Sequence, residues 1–519
     1  MKTGYRGRGA GPFLKAGNRA AALLLALLMI SVSVFRCIAA EDGTPDVIEA
    51  DVGIRPSDYR KLVSDETEPV FAVQIASEGG CPLRAKIRLR GAASKGMGLA
   101  FPTKKVPLDF QLYPDDALAR ALGNSSVKLI NSYTPFRLMA EYTALDLFRF
   151  AQVPVSEHKL LFLRFNGVDF GLYLALEELN GEFLAKHFPD GALYKADSVH
   201  YEMATSISSW FGCLRLTAGK DNGRLDELLK RLDAGVGYEE LLDTDEILRF
   251  FACLAMYGAD STFLTEQNNF YLCDTGERFI LLPWDNSEAF AGYETVNGID
   301  HYRMDPWEDI DYPPPLFTLL MENEENRENY HKYLRQFNDG FLSQSAVDSY
   351  LNGLAAAAQP FFRRDATMFF NQPYELPLIP EETRYGTLNS LLGVFHSIHE
   401  NIEAQLNGET DLFHMSSAYE SIGAVFSMDD TQGIMKFMME NSPSADPDIT
   451  ERVCAAYSEW CRNVGKIPFD ADDPSEIALC LIVFCAVFLL MIAAGRRGRV
   501  KKRPIRQQNK SIDEEGTGE

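Results

Sequence analysis

Nineteen consecutive residues without a charge, Ile477 to Gly495, constrain this chain more than any other feature. A helix rising about 1.5 Å per residue over that length just spans a hydrocarbon core about 30 Å thick. Arg496, Arg497, Arg499, Lys501, Lys502 and Arg503 follow at once, and such a cluster stays on the cytoplasmic side. The sequence therefore predicts a transmembrane helix over 476–495, a basic cytoplasmic tail over 496–519, and an extracytoplasmic body before them. At the other end Lys2, Arg6, Arg8, Lys15 and Arg19 surround the approach to an apolar run, Ala20 to Phe35, and Cys37, Ala39 and Ala40 offer small residues before Glu41. Residues 1–40 read as a secretory signal peptide, with an uncleaved anchor as the alternative. The expected product is a single-pass protein of the cell membrane.

Composition then narrows the partners. Between Glu41 and Ser475 stand 36 Lys and Arg against 69 Asp and Glu, a net charge of −33. A body so acidic repels nucleic acid, so none is expected as a partner. The 46% apolar content supports a substantial core. Cys454 and Cys461 are the closest external cysteines, but on one helix they lie about 10 Å apart, too far to bridge. No CxxC is present, which leaves zinc and thiol redox chemistry without support. His396 and His399 read as a surface pair without a third metal ligand.

Glu41 to Glu68 reads as an acidic lead-in (41–68). Pro69 to Ser77 and Leu83 to Leu89 alternate as strands, the second with Arg84, Lys86, Arg88 and Arg90 on its polar side. That basic face marks either a nearby anion or a solvated edge strand. Ser94 to Thr103 is expected to be a glycine-rich loop, after which Lys104 opens a strand through Leu112. Parity along that strand groups Lys104 with Val106, Leu108 and Phe110, so Lys104 is expected to face a covered cleft and Lys105 solvent. Pro135 suits the first position of a helix reaching Phe150. Asn166 and Gly167 mark a hairpin whose second strand delivers Glu177 and Glu178. Helices are expected over Gly223 to Leu232, Asp245 to Tyr257, Leu316 to Phe341 and Gln344 to Met368, with a juxtamembrane segment over 406–475.

One stretch, Gly258 to Ala291, carries the chemistry. Asp260 stands eight residues before Asn268, and a hairpin of Asn269 to Leu272 with Arg278 to Leu282 leads to Asp285, just past a strand end. Hard cations such as Mg²⁺ take oxygen ligands from one or two side chains and leave room for phosphate oxygens. An acid and an amide brought together, with a further acid to orient a nucleophile, form the plan of a phosphoryl-transfer site. Turn-forming Asp and Asn in a strongly acidic chain produce such spacings by chance as well.

Arg90-Gly91-x-x-Ser94, Lys104-Lys105, Gly171-x-Tyr173-x-x-x-Glu177, Asp260 with Asn268, and Pro283-Trp284-Asp285 followed by Phe290 occur in this order. Together they resemble the CotH (spore coat protein H) kinase family of atypical, protein-kinase-like enzymes over Pro69 to Gln405. The resemblance implies an α+β, two-lobed atypical protein-kinase-like fold, with a β-rich N-lobe over 69–185, a mainly helical C-lobe over 186–405, and ATP between them. It implies Asp260 as the catalytic acid, Asn268 and Asp285 as ligands of Mg²⁺ or Mn²⁺, and Lys104 or Lys105 as the phosphate-gripping lysine. Arg90, Ser94 and Glu177 fall at the nucleotide, and the phosphoryl acceptor is a Ser or Thr of a secreted or surface protein. Three places depart from the family pattern. Ser287 stands where a second acid follows the metal-binding Asp, the acid expected after Asn131 is missing, and Gly258-Ala259 replaces a glycine-asparagine pair. The alternative these departures raise is a catalytically impaired pseudokinase acting as a surface binding or scaffold protein.

Overall fold

The computed structural model describes residues 47–64, 67–77, 82–91, 93–132, 135–196, 206–257, 262–264, 269–287, 289–290, 314–368, 388–408 and 446–464. All belong to one unit, Met1–Gly465. The expected signal peptide, transmembrane segment and tail lie outside them, as do Asp260 and Asn268. Among the described residues no helix is long and apolar enough to cross a membrane.

The N-terminal region is a closed barrel of seven strands: β1 (Val47–Gly53), β2 (Phe71–Ser77), β3 (Leu83–Leu89), β4 (Leu108–Gln111), β5 (Ser126–Asn131), β6 (His158–Phe165) and β7 (Val168–Glu177). Neighbours run antiparallel around the order β1-β2-β3-β4-β5-β7-β6, and β1 closes the ring parallel to β6. Closure removes every sheet edge, so the cationic residues Arg84, Lys86 and Arg88 lie on the outer face of a doubly paired strand, not on an edge. The inward residues Ala85, Ile87 and Leu89 join Val73, Phe110, Val127, Leu129 and Leu163 in the barrel core. Each fully buried Leu or Phe contributes about 1.5–3 kcal/mol relative to exposure. The β6–β7 hairpin turns on Asn166 and Gly167, both left-handed at φ 55° and 80°, as a two-residue type I′ turn requires.

The barrel begins inside the stretch expected to be a lead-in. Glu49 and Asp51 disguise β1 as a polar segment, but both acids are met from afar. Arg364 Nη2 donates to Glu49 Oε2 at 2.9 Å, and Trp460 Nε1 donates to Asp51 Oδ2 at 3.1 Å. A helix over Ile449–Asn463, in the expected juxtamembrane segment, lies against the barrel and the first helix, α1 (Pro56–Leu62), burying Ile449, Val453 and Cys454 in the barrel core. It packs so closely that a Cβ on Gly53 would stand 2.0 Å from the Trp460 ring.

Two further expectations fail between β3 and β4. Ala93–Ala100 is a helix (α2) rather than a loop. Its two glycines cost about 1 kcal/mol each relative to Ala. The turn is held from outside, by the Lys95–Glu68 ion pair at 2.7 Å and by the Lys104 ammonium on the Leu99 carbonyl. The strand expected from Lys104 starts only at Leu108, because Lys104 is left-handed at φ 53°. The two-residue alternation has no meaning across that kink, and Lys105 turns inward to complete burial.

The later region is mainly helical around a second, four-stranded antiparallel sheet. Its order is β11 (Phe279–Pro283), β10 (Phe270–Asp274), β8 (Ala192–Ala196), β9 (Leu214–Gly219). Helices over Pro135–Phe150 (α4, with α3 at Ala117–Leu122), Thr244–Tyr257, Glu324–Asp339, Gln344–Phe362 and Leu388–Leu406 share the large core that Leu145, Phe148, Phe250, Phe251 and Leu334 occupy. The molecule is thus mixed α+β, β-rich first and helical later.

Candidate active site

Strand β11 ends at Pro283, and the chain then reverses through Trp284 and Asp285. The Trp284 amide still donates to the Asn269 carbonyl at 3.2 Å, so the ladder holds up to the residue before Asp285. Asp285 itself is left-handed at φ 54°, a conformation sparsely populated by residues other than glycine, and its side chain is exposed. The Ser287 hydroxyl donates to Asp285 Oδ1 at 2.8 Å, and Arg137 Nη1 donates to the Ser287 carbonyl at 3.0 Å. Helix α4 thereby grips the loop that carries Asp285.

Glu141 stands one turn after Arg137 on the same face of α4 and is only 4% exposed. Burial first, and the Asp285 charge second, push its carboxyl up to about 8 against the pull of Arg90 and Arg137. Arg90, just past the end of β3, lies 5.9 Å from the Trp284 ring centre, and Lys195 of β8 lies 5.8 Å from it. Such contacts are worth about 0.5–2 kcal/mol depending on desolvation. Arg90 Nε also pairs with Asp109 Oδ1 at 3.1 Å. Asp109 gathers Arg88 at 2.8 Å and Lys128 at 3.2 Å as well, while Lys128 reaches Glu178 at 2.8 Å. Arg90 and Lys195 thus stand over Trp284, and Lys128 is linked to Arg90 through Asp109.

The two lysines expected to grip phosphate are engaged elsewhere. Lys105 Nζ pairs with Asp365 Oδ2 at 3.0 Å with both side chains fully buried, beneath the Tyr173 ring at 5.3 Å. Burial pulls its ammonium below the ordinary lysine range, Asp365 opposing. Asp365 also accepts from Leu172 N and Thr367 N, each at 2.7 Å. A Cβ on Gly171 would come within 2.4 Å of Thr367 Oγ1. Gly171 and Tyr173 therefore serve this buried pair. Lys104 is half-buried on the Leu99 carbonyl, so its expected orientation and that of Lys105 are interchanged. Glu177 is fully buried at the end of β7, accepts from Glu157 N at 3.2 Å, and stands 3.4 Å from Lys186 and 3.7 Å from His187. It braces the helix Gly181–His187 (α5). The Ser94 side chain, Asp260 and Asn268 lie outside what the structure describes.

Of the expected residues, the structure brings Arg90 and Asp285 to one place. Trp284, named with Asp285 in the sequence motif, lies between them, and Glu141, Arg137 and Lys195 join them there without having been singled out by spacing. The signal available for two of them was an arginine and a glutamate four apart on the helix Pro135–Phe150.

The CotH kinase protein family model matches residues 87–375, more than half of the chain. The chain belongs to the CotH kinase family. A Helicobacter pylori proinflammatory kinase, CtkA, known from a crystal structure, superposes with a TM-score of 0.31 and 10% identity, over 61% of this chain and 91% of that one. No curated protein matches the chain. Arg90, Glu141, Trp284 and Asp285 all fall within the CotH match, whereas β1 and the Ile449–Asn463 helix extend the barrel beyond both of its ends.

Kinase chemistry calls for a hard divalent cation. Asp285, the Ser287 hydroxyl and the Glu141 carboxylate are oxygen donors of the right class. Among the described residues no three His, Cys, Asp or Glu side chains are grouped to hold a metal. One or two carboxylates with phosphate oxygens suffice for Mg²⁺, so the residues fit.

Proposed function

We propose that this CotH-family chain is an ATP-dependent protein kinase that binds ATP between a barrel lobe and a helical lobe and passes the γ-phosphate to a Ser or Thr of a secreted or surface protein. The observation that carries the reading is the convergence of Asp285, Glu141, Arg137 and Arg90 around Trp284 within the family-matched residues. Arg90 donates from its guanidinium fork to phosphate oxygens, a geometry suited to that group. Asp260 orients the acceptor hydroxyl and takes its proton. Asn268 and Asp285 would hold Mg²⁺ or Mn²⁺, which would supply charge neutralisation to the transferring phosphate. Residues 476–495 anchor the body outside the cytoplasmic face of the membrane.

One observation favours a second reading, a pseudokinase that binds partners without turnover: a serine hydroxyl, not a carboxylate, stands beside Asp285. ATP labelled at either the α or the γ position separates the readings. Incubated with Mn²⁺, the full chain is expected to place γ-label, and no α-label, on Ser or Thr. Transfer of α-label, or no label on any hydroxyl side chain, overturns the kinase reading. Alkaline carbonate extraction is expected to leave the protein in the membrane pellet, and release into the supernatant removes the anchor.

A further inference from the structure

We propose that Glu141 is itself a ligand of the divalent cation, supplying from helix α4 the second carboxylate that the chain lacks at Ser287. This rests on the kinase reading above and adds a residue to its metal site.

Three observations carry it. The face of α4 is fixed against the loop, since Arg137 Nη1 reaches the Ser287 carbonyl at 3.0 Å and the Ser287 hydroxyl reaches Asp285 at 2.8 Å. Residues four apart share a helix face, so Glu141 confronts the same loop. Second, Glu141 is 4% exposed, yet among the described residues no hydrogen-bond donor reaches its carboxylate. A largely buried carboxyl without donors is costly, most of all when charged. Third, of the cations whose charge acts on it, Arg137 reaches the Ser287 carbonyl on that loop and Arg90 pairs with Asp109. A hard cation between Glu141 and Asp285 answers all three. It gives the buried oxygens a partner, explains why two acids are held together, and requires no acid at position 287.

Mn²⁺ alone, counted by electron paramagnetic resonance as the free ion, is the probe. The purified full chain and its Glu141→Gln, Asp285→Ala and Glu141→Gln/Ser287→Asp variants are titrated without nucleotide and again with ATP. Loss of one ligand is expected to weaken Mn²⁺ binding in Glu141→Gln by at least about 10–100-fold, the range that loss of an outer-shell partner alone produces. Adding Ser287→Asp is expected to restore most of it, because the acid returns from the other side of the same site. Melting in EDTA is expected to show Glu141→Gln at least as stable as the parent, separating ligand loss from unfolding. If Glu141→Gln binds Mn²⁺ as the parent does while losing ATP affinity, Glu141 only orients Arg90 and the proposal is overturned with the kinase reading intact. If the parent and Asp285→Ala bind alike, or neither binds, the site reading fails together with it.

Discussion

Replacing Lys105 by Met separates a buried structural pair from a phosphate-binding lysine, because the two roles predict opposite outcomes. Lys105 and Asp365 are both fully buried and 3.0 Å apart. Removing one member of such a pair costs about 3–5 kcal/mol by leaving the other charge uncompensated. Asp365 would keep the amides of Leu172, Thr367 and Met368 and the Thr367 hydroxyl as donors, which places the expected loss at the lower end, about 3 kcal/mol or roughly a hundredfold in the unfolding equilibrium. Asp365→Asn leaves Lys105 able to shed its proton, a change that burial already favours. The double variant Lys105→Met/Asp365→Asn should therefore be more stable than the two single losses predict by addition. Urea unfolding followed by tryptophan fluorescence measures all four forms, and ATP affinity is read on the folded fraction. The expectation is a large drop in the urea midpoint with ATP affinity unchanged. An unmoved midpoint with ATP affinity down about tenfold or more, the effect of losing a charge-assisted phosphate contact, refutes the reasoning.

Glu246 offers a pH test at the base of the strand leading to Asp285. It is 3% exposed, its Oε2 accepts from Leu281 N at 3.3 Å, and burial raises its carboxyl well above the ordinary range. The folded state thus holds its proton more tightly than the unfolded one, so stability is full below the usual glutamate range and declines as pH rises toward the folded value. Glu246→Gln should flatten that decline between pH 5 and 8 in thermal melts, and an unchanged pH slope counts against it. Trp460→Ala removes the ring from Gly53 and the donor from Asp51. It should destabilise the barrel by about 3–5 kcal/mol, as large aromatic truncations do, whereas a midpoint within experimental scatter would mean that the Ile449–Asn463 helix is not part of the barrel's stability.

Much of the fold was legible where one face of an element is apolar and its neighbour is local. The β6–β7 and β10–β11 hairpins, strand β3 and the helices over Pro135–Phe150 and Thr244–Tyr257 all follow from alternation, turn residues and helix starts. β1 was not, because Glu49 and Asp51 break its pattern and their partners lie 315 and 409 residues away. Parity assigned Lys104 and Lys105 to the wrong sides because it assumed an unbroken strand, and the left-handed Lys104 breaks it. The position of Asp285 just past a strand end was legible in the sequence. The approach of Glu141 to it was not, since that depends on which face of α4 meets the loop after β11, a tertiary fact that no local spacing encodes.

The central claim, phosphoryl transfer at the site around Asp285, is tested most directly by γ-phosphate incorporation by the full chain, compared with Asp260→Ala and Asp285→Ala at equal folded concentration and saturating Mn²⁺. The account predicts incorporation that requires the metal and falls at least about a hundredfold in each variant, the scale of losing a group that acts in the transition state. Incorporation undiminished in both variants, or absent from the parent chain, would contradict it.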